Sequence, residues 1–122
     1  MRALAVVVAA VALLVAGCGG GSSGSGQPTG SIKVSLTEFK FEPSTISAPS
    51  GKVVFYLVNG GTTSHDMVIR DSSNNRLDGS ELISAGDTFV FTVNSLAAGT
   101  YTYFCDQAGH EASGMKGTLT IT

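Results

Sequence analysis

The sequence predicts an all-β domain, a Greek-key β-sandwich of about eight strands, and three observations carry that expectation. From residue 31 onward no segment with a 3.6-residue apolar period is longer than a turn. Short β-branched and aromatic runs alternate instead with Gly, Pro, Asn and Ser, the pattern of strands joined by tight connections. The chain holds 16 glycines, clustered in turns and one linker, which favours β-structure over helices.

Taken in order, Ser31 to Leu36 places Ile32, Val34 and Leu36 on one face of a strand. Phe39-Lys40-Phe41-Glu42-Pro43 leads into Thr45-Ile46-Ser47-Ala48, and Pro43 with Pro49 marks this part as irregular or at a sheet edge. Lys52 to Val58 is the strongest strand, apolar on both faces and ended by Asn59-Gly60-Gly61. His65 to Arg70 is the next, with Val68 and Ile69 inside it and His65 and Met67 on a shared face. Residues 71–87 are polar and turn-rich and read mostly as loop. Thr88 to Val93, Gly99 to Cys105 and Gly117 to Ile121 complete the set. Strands this short and this frequent suit two packed sheets, and the roughly 92 residues concerned suffice for their core.

The first thirty residues read differently. Arg2 precedes an apolar run over residues 3–16, shorter than the ~20 residues of a membrane-spanning helix and suited to a secretory signal peptide. Leu14-Val15-Ala16-Gly17-Cys18 resembles a bacterial lipobox, which implies cleavage after residue 17 and a lipidated Cys18. A plain signal peptide with an incidental cysteine is the alternative. Residues 18–30 are a Gly/Ser-rich linker with a coil reach of about 20 Å, useful for holding a domain just off a membrane. Net charge is −2, or about −3 once Arg2 is removed (six basic against nine acidic residues), so no basic face for nucleic acid is expected.

With Cys18 lipidated, Cys105 is the remaining thiol of an exported domain. An unpaired thiol in an oxidising compartment calls for a role such as metal ligation, unless the lipobox reading fails and Cys18 pairs with Cys105. Cys105, His110 and Met115 lie on one stretch, four residues between each pair, and join a thiolate, an imidazole and a thioether. That donor set favours copper over zinc, calcium or magnesium, and a second imidazole is available from His65. His65, Cys105, His110 and Met115 together make a candidate site for one copper ion.

Gly99-Thr100-Tyr101-Thr102-Tyr103-Phe104-Cys105, then His110, then Gly114-Met115-Lys116-Gly117-Thr118-Leu119-Thr120-Ile121 resembles the C-terminal signature of the cupredoxins, above all their plastocyanin and auracyanin-like branch. Phe41-Glu42-Pro43-Ser44-Thr45-Ile46, with Gly51, Val53, Phe55 and Asn59, is similar to that family's second and third strands, and Ser64-His65-Asp66 to its first-ligand segment. The resemblance covers roughly residues 31–122. It implies an eight-stranded sandwich and a type 1 copper on His65, Cys105, His110 and Met115, with Tyr101 in a tyrosine corner. The Cys-to-His spacing is azurin-like and the His-to-Met spacing plastocyanin-like. Asp66 stands where the family often has Asn, and Asp106 follows Cys105, so the two carboxylates are expected to repel if both face the site. Phe104 replaces the tyrosine common before the cysteine.

The function expected is that of a one-electron carrier, not an enzyme, lipid-anchored outside a bacterial cytoplasmic membrane. Its expected partners are redox proteins of a respiratory or photosynthetic chain, and it is expected to be a monomer. His110, flanked by Ala108, Gly109 and Ala112, is the expected electron port. A copper delivery or storage module, a metal-free adhesion sandwich and a Cys-His hydrolase are the rivals. The first lacks methionine-rich or additional histidine motifs, the second leaves Cys105 idle, and the third lacks an orienting third residue.

Overall fold

A computed structural model of the protein describes residues 26–122; the expected signal peptide, Cys18 and most of the expected linker fall outside the described residues. The described chain forms nine strands: β1 (Ile32–Thr37), β2 (Lys40–Glu42), β3 (Thr45–Ala48), β4 (Gly51–Asn59), β5 (Val68–Arg70), β6 (Arg76–Gly79), β7 (Thr88–Leu96), β8 (Gly99–Phe104) and β9 (Lys116–Ile121). They make a four-stranded sheet ordered β2-β1-β4-β7 and a five-stranded sheet ordered β3-β9-β8-β5-β6. Non-sequential neighbours, with β1 parallel to β4 and β3 parallel to β9, mean that the chain crosses repeatedly between the sheets. Both β2 and β3 are edge strands, as the flanking prolines require.

Two departures from the sequence expectation concern the polar middle of the chain, and β7 also runs three residues past Val93, to Leu96. The fifth strand covers only Val68–Arg70, because His65 makes an isolated bridge to Ile83 and residues 66–67 leave the ladder. Within 71–87 lies β6, whose polar RLDG sequence carries no strand signal; it forms by pairing with β5 at the sheet edge.

Alternation builds the core. Val34 and Leu36 of β1, with Val53, Phe55 and Leu57 of β4, meet Ile69, Tyr103 and Leu119 from the other sheet in one buried cluster. Phe55 and Phe91 are cross-strand partners with ring centroids 5.9 Å apart. Tyr101 packs against the core and its hydroxyl donates to the Ala97 carbonyl at 2.7 Å, the corner that the resemblance implies.

Tyr103 couples the layers. It is fully buried, meets Phe41 edge-on at 5.2 Å and donates to the Pro43 carbonyl at 2.7 Å. Its cross-strand partner is Gly117, and a Cβ there would overlap the phenol ring. Gly117→Ala is therefore expected to lower stability by about 1–3 kcal/mol through overpacking. Urea unfolding of the metal-free protein measures this, and an unchanged midpoint would refute the packing account.

Candidate metal centre

Strand register brings the candidate ligands to one end of the sandwich. Val68 pairs with Phe104 at the joined ends of β5 and β8, so the residues just before Val68 lie beside those just after Phe104. Phe104 also pairs with Lys116, which closes the mouth of the loop between β8 and β9, and Cys105 N–H donates to the Met115 carbonyl at 3.1 Å. His65, 40 residues upstream of Cys105, enters the site because its own N–H and carbonyl exchange hydrogen bonds with Ile83 at 3.1 and 2.8 Å.

The loop itself is a series of tight turns. His110 N–H donates to Gln107, Ser113 N–H to Gly109 and His110, and Met115 N–H returns to the His110 carbonyl at 3.0 Å. A loop bonded to itself at this density presents its side chains from a fixed backbone. Asn59 does the same for the other ligand segment. Fully buried, its amide donates to the Thr63 and Ile83 carbonyls at 2.9 and 2.8 Å, while its oxygen accepts from Gly61 N–H.

Cys105 Sγ lies 3.5 Å from His110 Nδ1 and 3.9 Å from His65 Nδ1, and the three donor atoms all fall within 4.8 Å of one another. Donors held by one ion at bond lengths of about 2.0–2.3 Å stand roughly 3.5–3.8 Å apart. The 3.5 Å separation falls in that span and the 3.9 Å one lies just above it, so small side-chain adjustments would let the three donors share one ion. Cys105, His65 and Met115 are buried and His110 is half-buried, with Phe39 edge-on to its ring at 5.0 Å. Burial pushes the Cys105 thiol up, against the N–H groups of Asp66 and Gln107, so loading a metal releases a proton.

Asp66 and Asp106 do not oppose each other. Asp66 Oδ1 accepts the Asp106 backbone N–H at 2.7 Å, which ties the two ligand segments together directly. The Asp106 carboxylate turns to Arg76 at 3.1 Å. Phe104 is covered by the Arg70 guanidinium, 4.4 Å from its ring centroid, and Arg70 also grips Glu111 with both of its terminal nitrogens. One contact has no counterpart in the sequence reading: Glu38 Oε1 lies 3.2 Å from His65 Nε2. No motif marks that residue, and only the fold brings it there.

A β-sandwich with one thiolate and two imidazoles converging at its end defines a candidate mononuclear metal protein, and the buried Met115 at the end of the same loop adds the thioether that favours copper over zinc. More particularly, the chain belongs to the cupredoxins: residues 5–121 match the family model described as Cupredoxin-like domain. Plastocyanin of Scenedesmus fuscus is 31% identical over 86 residues, spanning 66% of this chain and 85% of the relative. Auracyanin-B of Chloroflexus aurantiacus is 44% identical over 48 residues, which is 39% of this chain but only 20% of that protein's length. A solved structure of Auracyanin B superposes with a TM-score of 0.70 at 25% identity, covering 79% of this chain and 91% of that one. The cofactor is one type 1 copper ion.

The Arg70 guanidinium holds the Glu111 carboxyl below its usual range. Because folding lowers this pKa, the pair's contribution is complete above the ordinary carboxyl value and fades as pH falls through the lowered one. The stability gap between the protein and Glu111→Gln should accordingly narrow on acidification from neutral pH in urea unfolding. A gap independent of pH would show that the ion pair adds nothing.

Proposed function

We propose that this protein is a one-electron carrier whose type 1 copper would be held by the imidazoles of His65 and His110, the thiolate of Cys105 and the thioether of Met115. The observation that carries the reading is the convergence of the three donor atoms within 4.8 Å, on two segments bonded to each other through Asp66 and Asp106. Copper when bound supplies a Cu(II)/Cu(I) couple at a thiolate-rich centre. The chain's part is to hold the donors where both oxidation states find them, and to keep water away from a buried thiol and thioether. His110, half-buried beside Ala108, Gly109 and Phe39, is the face through which electrons pass to and from redox proteins of a respiratory or photosynthetic chain.

The carrier is tethered outside the cytoplasmic membrane through lipidated Cys18, with residues 19–30 as the spacer. Arg2, the apolar run over residues 3–16 and the Leu14–Cys18 lipobox support this, and no helix among the described residues is long and apolar enough to cross a membrane. In its native host, the protein should incorporate labelled fatty acid, and Cys18→Ala should abolish that labelling; a labelled Cys18→Ala protein would overturn the lipid anchor.

Cu(II) titration of the metal-free protein tests the centre. An intense blue colour is expected, and it should vanish in Cys105→Ser. A colourless complex of the unaltered protein would overturn the electron-carrier reading.

A further inference from the structure

We propose that Glu38 is a positioning residue for the first ligand histidine: it holds the His65 ring as the Nε2–H tautomer, Nδ1 turned to Cys105, and stations a fixed negative charge against that ring. This rests on the reading of His65 as a copper ligand. The geometry behind it is built from three sides. Leu36 of β1 pairs with Asn59 of β4, and Gly60 N–H donates to the Leu36 carbonyl at 3.0 Å, so the turn after β1 is carried to the loop that leads to His65. There a single carboxylate oxygen, Oε1, accepts from Thr62 N–H at 2.7 Å, Thr63 N–H at 2.9 Å and the Thr63 hydroxyl at 3.1 Å. His65 Nε2 completes the set at 3.2 Å, while its ring is fully buried.

Gly61 makes the room. A Cβ at that position would stand 2.5 Å from Glu38 Oε1 and 3.0 Å from Cδ, so a side chain there would push the carboxylate from its place over the loop. A carboxylate can only accept, and with Oε1 facing Nε2 the proton of a neutral imidazole belongs on that nitrogen. Nδ1 is then the lone-pair nitrogen, and it is the one 3.9 Å from Cys105 Sγ. The Thr63 hydroxyl, 3.5 Å from Nε2, is the weaker neighbour and is itself engaged by Glu38. Carboxylates behind ligating histidines orient the ring and raise its basicity, and their loss typically costs about 10–100-fold in metal affinity. A fixed anion also favours the more highly charged Cu(II), so neutralising it raises the reduction potential.

Three variants separate charge, contact and fold. Glu38→Gln keeps an acceptor and removes the charge: its potential should rise by an amount equivalent to up to about tenfold in the Cu(II)/Cu(I) preference, or about 59 mV for one electron. Glu38→Ala removes both and should also weaken Cu(II) affinity at least tenfold. Gly61→Ala leaves Glu38 in the chain but displaces the carboxylate, and should reproduce the Glu38→Ala affinity loss. In the metal-free protein, nitrogen NMR of His65 should report the Nε2–H tautomer, with the Nδ1–H form growing in Glu38→Ala. That last readout needs no copper, so a failure of the copper reading leaves it standing as a test. An unchanged tautomer in Glu38→Ala, or an unchanged potential in a folded, blue Glu38→Gln, would overturn the proposal.

Discussion

The antiparallel pairing of β5 with β8 is the constraint on which the metal centre depends. Its last pair, Val68 with Phe104, decides that a histidine from one loop and a cysteine from another share a place in space. Beyond that pair the ladder stops, and the Asp66 carboxylate carries the pairing one step further by accepting the Asp106 N–H. A shift of one residue in this register would turn every β5 side chain to the opposite face and carry His65 away from Cys105. Core packing therefore does more than stabilise the domain. Tyr103 and Ile69, cross-strand partners buried in the middle of the sandwich, hold the register that the ligands require.

A site assembled in this way is held by the protein's own hydrogen bonds. The β8–β9 loop is bonded internally, and Asn59 satisfies three backbone groups of the opposing segment. Type 1 copper chemistry asks for this economy of motion, because a ligand set that is already placed has little to rearrange between oxidation states. Arg70 extends the same restraint outward. Lying over Phe104 and gripping Glu111, it joins β5, the end of β8 and the turn that carries His110.

Much of this was legible in the residues, for identifiable reasons. Alternating Val34 and Leu36, the apolar run through Phe55 and Leu57, and Phe89 to Val93 mark strands because one or both of their faces are buried. Cys105, His110 and Met115 were readable because their donor chemistry is rare in combination and lies on one loop. The β6 strand was not readable: RLDG is exposed or half-buried at a sheet edge, so no apolar period records it. The fifth strand is shorter than the pattern suggests because His65 is buried at the site and Met67 in the core, although neither belongs to the strand. Glu38 left no trace at all. Its place beside His65 follows from the parallel pairing of β1 with β4, a long-range fact that local pattern cannot encode.

Four carboxylates surround the centre, and their partners decide how much each is felt there. Asp106 faces Arg76 and Glu111 faces Arg70, so each negative charge near the ligand loop is matched by a guanidinium within hydrogen-bond reach. The paired guanidinium weakens the field that each carboxylate would otherwise project onto the copper ligands. Glu38 and Asp66 differ. The hydrogen bonds described for them come from backbone N–H groups, a hydroxyl and an imidazole rather than from a guanidinium. Asp66 is nearly buried and adjoins both His65 and Cys105, and its charge adds to the upward push on the thiol. Glu38 and Asp66 are thus the carboxylates beside the ligand segments that face no guanidinium among the described hydrogen bonds. The mixed loop spacing that sets this chain between plastocyanin-like and azurin-like patterns governs how exposed His110 is. The charge felt at the buried histidine is governed by Glu38 and Asp66.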